Sequence, residues 1–512
     1  MAQSAQQVSG PDFTMGVALD DVPIEGSLAG RVGEDAVLLS RFGDEMFAVD
    51  GVCTHYGAAL AAGVRVGDTV RCPLHHACFS LRSGAALRAP AFAPLGRWRV
   101  EVQGSLVYVR AKLAGPEPTP VSPPGTVGPI VIVGGGAAGF ACAEKLRRLG
   151  HAGPLTILSA DEDPPYDRPN LSKDYLAGSA PDAWMPLQPT GYYAEHGIDL
   201  RLGTEVSAID PGDRSVMTVS GDVFSYDRLL IATGSEPVRL RAPGFDLPNV
   251  YTLRTFADAR AIAGEAMAGR QAVIIGSGFI GLEAAAALSS RGVAVDVVTM
   301  DDLPMGRTLG ADVGRFLRQL HEAHGVRFHF GRTASAFDRR AVSLDNGDAL
   351  RADFVLLGLG VRPRMALART AGIEVADAIL VDHQLETSVS GIFAAGDVAS
   401  FPDARFGGRL SIEHWVTAQR QGQTAAVNML GGSDSFDAVP FFWTQQYDMA
   451  LRYVGHGAGA DETRVAGATA NGDFSVEYFA QGALRALLSV GRDIESLAVE
   501  SRFEGKRAMQ IC

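Results

Sequence analysis

The chain has 512 residues, 47% apolar and 20% charged, enough for about three domains with separate cores. Its formal net charge of −13 argues against a nucleic-acid partner, which wants a basic face, and no apolar run reaches the roughly 18 residues of a helical membrane span, so no membrane partner is expected. Five cysteines without a C-x-x-C, and an N-terminus lacking a basic-then-apolar leader, predict a reducing, cytoplasmic setting without a disulfide framework.

Residues 1–112 hold short β-type runs, AVLLS, EMFAVD, TVRC, RWRVEV and SLVYVR, separated by Gly, Asp and Pro. They predict a small antiparallel β domain. Two of its loops carry candidate metal ligands: Cys53 and His55 in the first, Cys72 and His75 in the second, with sixteen residues between His55 and Cys72. Two thiolates and two imidazoles from matching loops suit a two-iron cluster, with cysteines on one iron and histidines on the other. A Cys₂His₂ zinc site is the competing reading, although zinc fingers set their histidines close together on one helix. The pattern resembles the Rieske [2Fe-2S] family. Ala58 and Leu74 stand where respiratory members carry an extra cysteine pair, which implies the soluble, lower-potential ferredoxin kind. Cys78 reads as a small buried residue and His76 as a bystander beside His75. Residues 113–128, LAGPEPTPVSPPGTVG, read as a semi-stiff linker.

The stretch IVIVGGGAAGF (130–140) combines a buried parallel strand, a helix start and the spacing G-x-G-x-x-G at Gly134, Gly136 and Gly139. The first glycine permits a tight turn, the second admits a pyrophosphate, and the third lets helix and strand pack closely. A second such unit, with Gly276, Gly278 and Gly281, follows 142 residues later. Two units imply two dinucleotides and two nested Rossmann-like folds: 129–252 with 373–434, and 253–372 inserted between them. The fold class is therefore α/β, with the all-β domain before it and a C-terminal α+β domain at 435–512 after it. That last part shows strand-like RYVG, FSVEYFA and LRALLSV, then a helix-like end.

The segments PYDRPNLSK, LLIATGSEP, GSGFIGLE, GLGVRP, AAGDVA and FFWTQQYD resemble the FAD-dependent ferredoxin reductases that serve bacterial oxygenases, and apoptosis-inducing factor. With its Rieske domain the whole chain resembles the apoptosis-inducing-factor-like fusions. The resemblance implies specific duties. Gly134, Gly136, Gly139, Arg168, Lys173 and Asp397 would hold FAD, with Glu413, His414, Trp415 and Trp443 around its ring. Lys173 would pair with Glu283 at the reactive edge. Gly276, Gly278, Phe279, Ile280, Gly281 and Gly360 would take the nicotinamide nucleotide. Thr299 replaces the acidic residue with which NADH-using relatives hold the ribose 2′-OH, and Asp301 or Asp302 is the candidate substitute. No Arg or Lys occurs from 293 to 306, which favours NADH over NADPH. No cysteine pair is placed for a flavin-linked dithiol.

The expected activity is hydride transfer from NAD(P)H to FAD, then single electrons to the chain's own [2Fe-2S] cluster and on to a protein acceptor such as a terminal oxygenase. The alternative is a redox-controlled interaction protein of the apoptosis-inducing-factor kind, acting as an NADH-linked homodimer. A third arrangement reverses the flow, with the Rieske domain accepting electrons from a donor protein.

Overall fold

The strand Ile130–Val133 is buried along its whole length and lies at the centre of a five-stranded parallel sheet. Its order is Ile198–Arg201, Leu155–Leu158, Ile130–Val133, Arg228–Ile231 and Ile392–Ala394. Continuous β-branched runs are what a sheet covered on both faces requires. Helix α1 (Ala137–Arg148) follows the first glycine turn. A second parallel sheet repeats this plan in the order Val250–Thr252, Phe354–Leu357, Gln271–Ile275, Ala294–Thr299 and Arg327–Phe330. It carries α2 (Phe279–Ser290) after the second glycine turn and α3 (Ala311–Ala323). The chain leaves the first sheet, completes the second, and returns at Ile392 to finish the first. Helix α4 (Trp415–Met429) then packs against α1. A Cβ on its Gly422 would meet the Ala138 carbonyl at 2.2 Å, so only glycine allows that crossing.

The computed structural model describes residues 10–114 and 127–511, so most of the expected linker, and Cys512, lie outside the described residues. The N-terminal domain has two antiparallel sheets. One has six strands, with Leu106–Lys112, Arg97–Gln103, Glu45–Asp50 and Asp35–Phe42 at its middle. The other carries the ligand loops and runs Val64–Val66, Thr69–Arg71, Cys78–Ser80, Ala86–Arg88. Its outer edge is taken by a distant segment: Ala508–Gln510 pairs antiparallel with Val64–Val66. The C-terminal domain is a five-stranded antiparallel sheet followed by α5 (Asp493–Phe503), which leads to that edge strand. The three strand-like runs form as expected. Glu462–Ala468 is an additional strand, exposed along its length and therefore without the alternation that would have marked it.

Candidate functional site

The two ligand loops close identically. The amide of Cys53 donates to the Ala58 carbonyl and that of Gly57 to the Cys53 carbonyl. The amide of Cys72 donates to the Ala77 carbonyl and that of His76 to the Cys72 carbonyl. The fourth residue after each cysteine bends into the left-handed region, Gly57 at φ +73° and His76 at φ +59°. This shared turn brings like ligands together. The Nδ1 atoms of His55 and His75 are 3.1 Å apart. The Cys53 and Cys72 thiols share a hydrogen bond, which pulls Cys53 down, and the amides of His55, Leu74 and His75 donate to the two sulfurs. The four pair off, thiol with thiol and imidazole with imidazole, which fits the two irons of a Rieske cluster. Burial lowers His55 to about 4 and His75 well below its ordinary value, so both offer neutral imidazoles.

The cluster end of this domain is docked on the rest of the chain. Phe441 and Trp443 share one face of the strand Phe441–Gln446 and meet consecutive histidines. Phe441 stacks on His76 at 3.9 Å, and Trp443 lies 4.1 Å from His75. Arg452 donates to the Leu74 carbonyl at 3.2 Å and pairs with Asp493 at 2.5 Å. Glu500 of α5, wholly buried, takes His76 and Arg420 at 2.9 Å each and Arg71 at 3.4 Å. Glu504 takes Arg71 at 2.8 Å and Arg88 at 2.7 Å. His76 is thus a docking residue rather than a bystander, and these contacts offset its backbone strain.

Trp443 also lines a cleft between the two glycine turns. Arg168, Lys173, Glu283, Asp397 and Glu413–Trp415 line it too, so residues spread over 276 positions meet in one place. Gly136 caps α1 without any side-chain cap, leaving the helix's first N–H groups to a ligand. Gly134 sits at φ +113°, where a Cβ would strike the Ala232 carbonyl at 2.2 Å, and a Cβ on Gly139 would strike the Gly134 carbonyl at 1.9 Å. Asp397 accepts from Ser235 Oγ at 2.7 Å and Arg254 at 2.8 Å. Burial pushes this carboxyl up, but those two partners outweigh it and hold it below the usual range. His414 is half-buried among cleft residues, its Nδ1 is buried and unpartnered, and desolvation lowers it to about 4. An uncapped helix start, an ionised Asp397 and an orphaned imidazole nitrogen fit a large ligand with a pyrophosphate, a polyhydroxylated chain and a polar ring, as FAD has.

Lys173 Nζ lies 2.8 Å from Glu283 Oε2, and Lys173 departs from helical geometry (φ −114°, ψ −112°) inside the π turn Leu171–Tyr175. Such turns concentrate at functional sites. On the nucleotide side, Gly276 (φ +108°) and Gly281 repeat the tight turn and close packing, and Gly278 caps α2 without a side chain. Phe279 and Ile280 reach the cleft, while Gly360 (φ +86°) lies on a strand-end loop outside it. Thr299 is buried and accepts from Ser277 Oγ at 2.9 Å and from the Asp301 amide at 3.2 Å. Asp301, a candidate substitute for the missing acid, is paired with Arg307 at 2.7 Å. Among the described cysteines none lines the cleft; Cys142 is buried in α1 against Met429.

Sequence reasoning missed Arg254, Ser235, Glu500 and Thr444. Each acts through a partner far along the chain, and none lies in a glycine turn or ligand loop.

The family profile described as "Pyridine nucleotide-disulphide oxidoreductase" matches residues 128–422. The chain belongs to this family. A Rieske [2Fe-2S] domain profile matches residues 14–101 and a reductase C-terminal profile residues 441–509. Apoptosis-inducing factor 3 of Mus musculus is 34% identical over 456 residues, covering 85% of this chain and 75% of that protein. Rhodocoxin reductase of Rhodococcus erythropolis is 36% identical over 374 residues, covering 72% and 88%. Among solved structures, the covalent putidaredoxin reductase–putidaredoxin complex matches with a TM-score of 0.72 at 32% identity, covering 73% of this chain and 93% of that one. This member of the family is an oxidoreductase of the FAD-dependent ferredoxin-reductase type that also carries a Rieske domain. Among the described residues no helix is long and apolar enough to cross a membrane.

Proposed function

We propose that the chain is an NADH-driven reductase that passes electrons within itself to its own Rieske domain and from there to an external redox protein, with a terminal oxygenase as the acceptor class. The observation that carries this reading is Trp443, whose ring lies 4.1 Å from His75 and also lines the flavin cleft. When bound, FAD accepts hydride from the nicotinamide and yields electrons singly, and a [2Fe-2S] cluster takes one at a time. The chain's own residues do the rest. The Gly134–Gly139 turn, Arg168 and Asp397 hold the flavin, and Lys173 with Glu283 sets the charge at the cleft wall. Cys53, His55, Cys72 and His75 hold the irons, and docking replaces diffusional encounter between donor and acceptor. His75 faces the reductase. His55 is less enclosed, and its ring stacks at 4.2 Å on Tyr56, which is 44% exposed, giving the outgoing electron a route to the surface.

Anaerobic addition of NADH is expected to bleach the flavin and then reduce the cluster, followed by visible absorption and EPR. Cys53→Ser should keep the first event and lose both the second and onward reduction of a ferredoxin-accepting oxygenase. Onward transfer by Cys53→Ser at the parent rate would dismiss the internal relay.

The preference for NADH rests on the lack of any basic residue from 293 to 306. Thr299→Glu would place a carboxylate where Ser277 and the Asp301 amide already donate. It is expected to raise the NADH-to-NADPH ratio of kcat/KM about tenfold, by supplying an acceptor for the ribose 2′-OH. An unchanged ratio would place ribose recognition elsewhere.

A further inference from the structure

Behind the Lys173–Glu283 pair runs a buried chain of hydrogen bonds. Glu283, 4% exposed, divides its two oxygens. Oε2 accepts from Lys173 Nζ at 2.8 Å and Ser172 Oγ at 2.5 Å, and Oε1 accepts from Thr444 Oγ1 at 2.7 Å. Thr444 accepts from Gln446 Nε2 at 3.2 Å. Gln446 Oε1 is 2.8 Å from His321 Nε2, and His321 Nδ1 is 3.2 Å from the Tyr447 hydroxyl. Thr444, Gln446 and His321 are all buried.

The donors and acceptors admit one assignment. An amide oxygen can only accept, so His321 carries its hydrogen on Nε2. Its Nδ1 is then the acceptor for the Tyr447 phenol. Burial lowers His321 to about 4, which keeps the imidazole neutral at physiological pH. Every link therefore points the same way: Tyr447 donates to His321, His321 to Gln446, Gln446 to Thr444, and Thr444 to Glu283. Bonds aligned in this way polarise one another in a low-dielectric interior, and here they end on a carboxylate. The chain also joins three segments, with His321 on α3, Glu283 on α2, and Thr444 and Gln446 on one face of a C-terminal strand.

We propose that His321 is a positioning residue for reduction of the flavin: through Gln446 and Thr444 it holds the Glu283 carboxylate turned onto Lys173. The proposal rests on the reductase reading above and concerns only its first half. Removing the Thr444 hydroxyl leaves Glu283 Oε1 without its donor, and removing His321 leaves the Gln446 amide free to turn off Thr444.

The test uses the FAD-loaded full chain. Thr444→Val and His321→Leu are expected to shift the flavin's midpoint potential in the same direction. Thr444→Val should slow its bleaching by NADH about tenfold, the value of one hydrogen bond to a charged group, and His321→Leu should slow it in the same direction by less, both with KM for NADH within about twofold of the parent. Thr444→Ser and His321→Gln keep a donor at each place and should restore both readings. Parent-like potential and rate in a folded His321→Leu would overturn the proposal. If that variant does not fold, Thr444→Val decides: a parent-like result overturns the proposal, and a slow form rescued by Thr444→Ser supports it. Failure of NADH to bleach the parent itself would instead remove the reductase reading.

Discussion

Trp443→Leu is expected to slow cluster reduction by NADH about a hundredfold, the scale reached when a reacting contact loses its positioning, while flavin bleaching stays within about twofold. The split follows from the strand. Trp443 and Phe441 face the Rieske domain, whereas Thr444 points the other way and reaches Glu283 at 2.7 Å. Leucine keeps an apolar side chain at the contact but removes the aromatic surface bridging His75 and the cleft. Stopped-flow absorption gives the first event and rapid-freeze EPR the second. Equal slowing of both would mean that the substitution disturbs the flavin site rather than the bridge.

Glu500→Ala should cost about 3–5 kcal/mol, because it leaves buried cations short of their counter-charge. Arg71 keeps Glu504, but Arg420 loses its direct carboxylate partner and His76, whose pKa burial lowers, loses its hydrogen-bond partner. The loss should appear as a lower denaturation midpoint and as faster proteolysis where the Rieske domain meets the reductase. A midpoint within 0.5 kcal/mol of the parent, the range of an ordinary surface substitution, would show that the ion cluster does not hold the interface. The same contacts predict a pH dependence. Burial pushes Glu500 and Glu504 up, but the surrounding cations outweigh it, taking Glu500 well below the ordinary value and Glu504 to about 2. A carboxylate with a depressed folded value stabilises fully above its unfolded value and loses that contribution as pH falls through the folded one. Docking should therefore be at full strength at neutral pH and weaken from about pH 4.3 downwards, checked by near-ultraviolet circular dichroism during acid titration.

What could be read from the sequence was whatever is local. The Cys-x-His and Cys-x-x-His loops and the two glycine turns announce themselves within a dozen residues, because one turn sets the position of each ligand. The pairing of Lys173 with Glu283, 110 residues apart, came only through family resemblance. Arg254 on Asp397 and Thr444 on Glu283 bridge 143 and 161 residues, and no periodicity encodes such meetings. His76 is the instructive miss. Beside a ligand histidine it looked idle, yet it holds the backbone place that Gly57 holds in the twin loop. A bulky residue at positive φ calls for compensation, and Glu500, 424 positions away, is part of it.

The edge strand Ala508–Gln510 and the Glu504 contacts also impose an order on biosynthesis. Arg71 and Glu504 are separated by 433 residues, which a ribosome needs roughly 20 to 90 seconds to add. Over that interval the earliest-made domain waits with one sheet edge unpaired and its ligand loops uncovered. The segment that closes it arrives only after both nucleotide folds have been made, so assembly of the metal lobe can come first and its enclosure last.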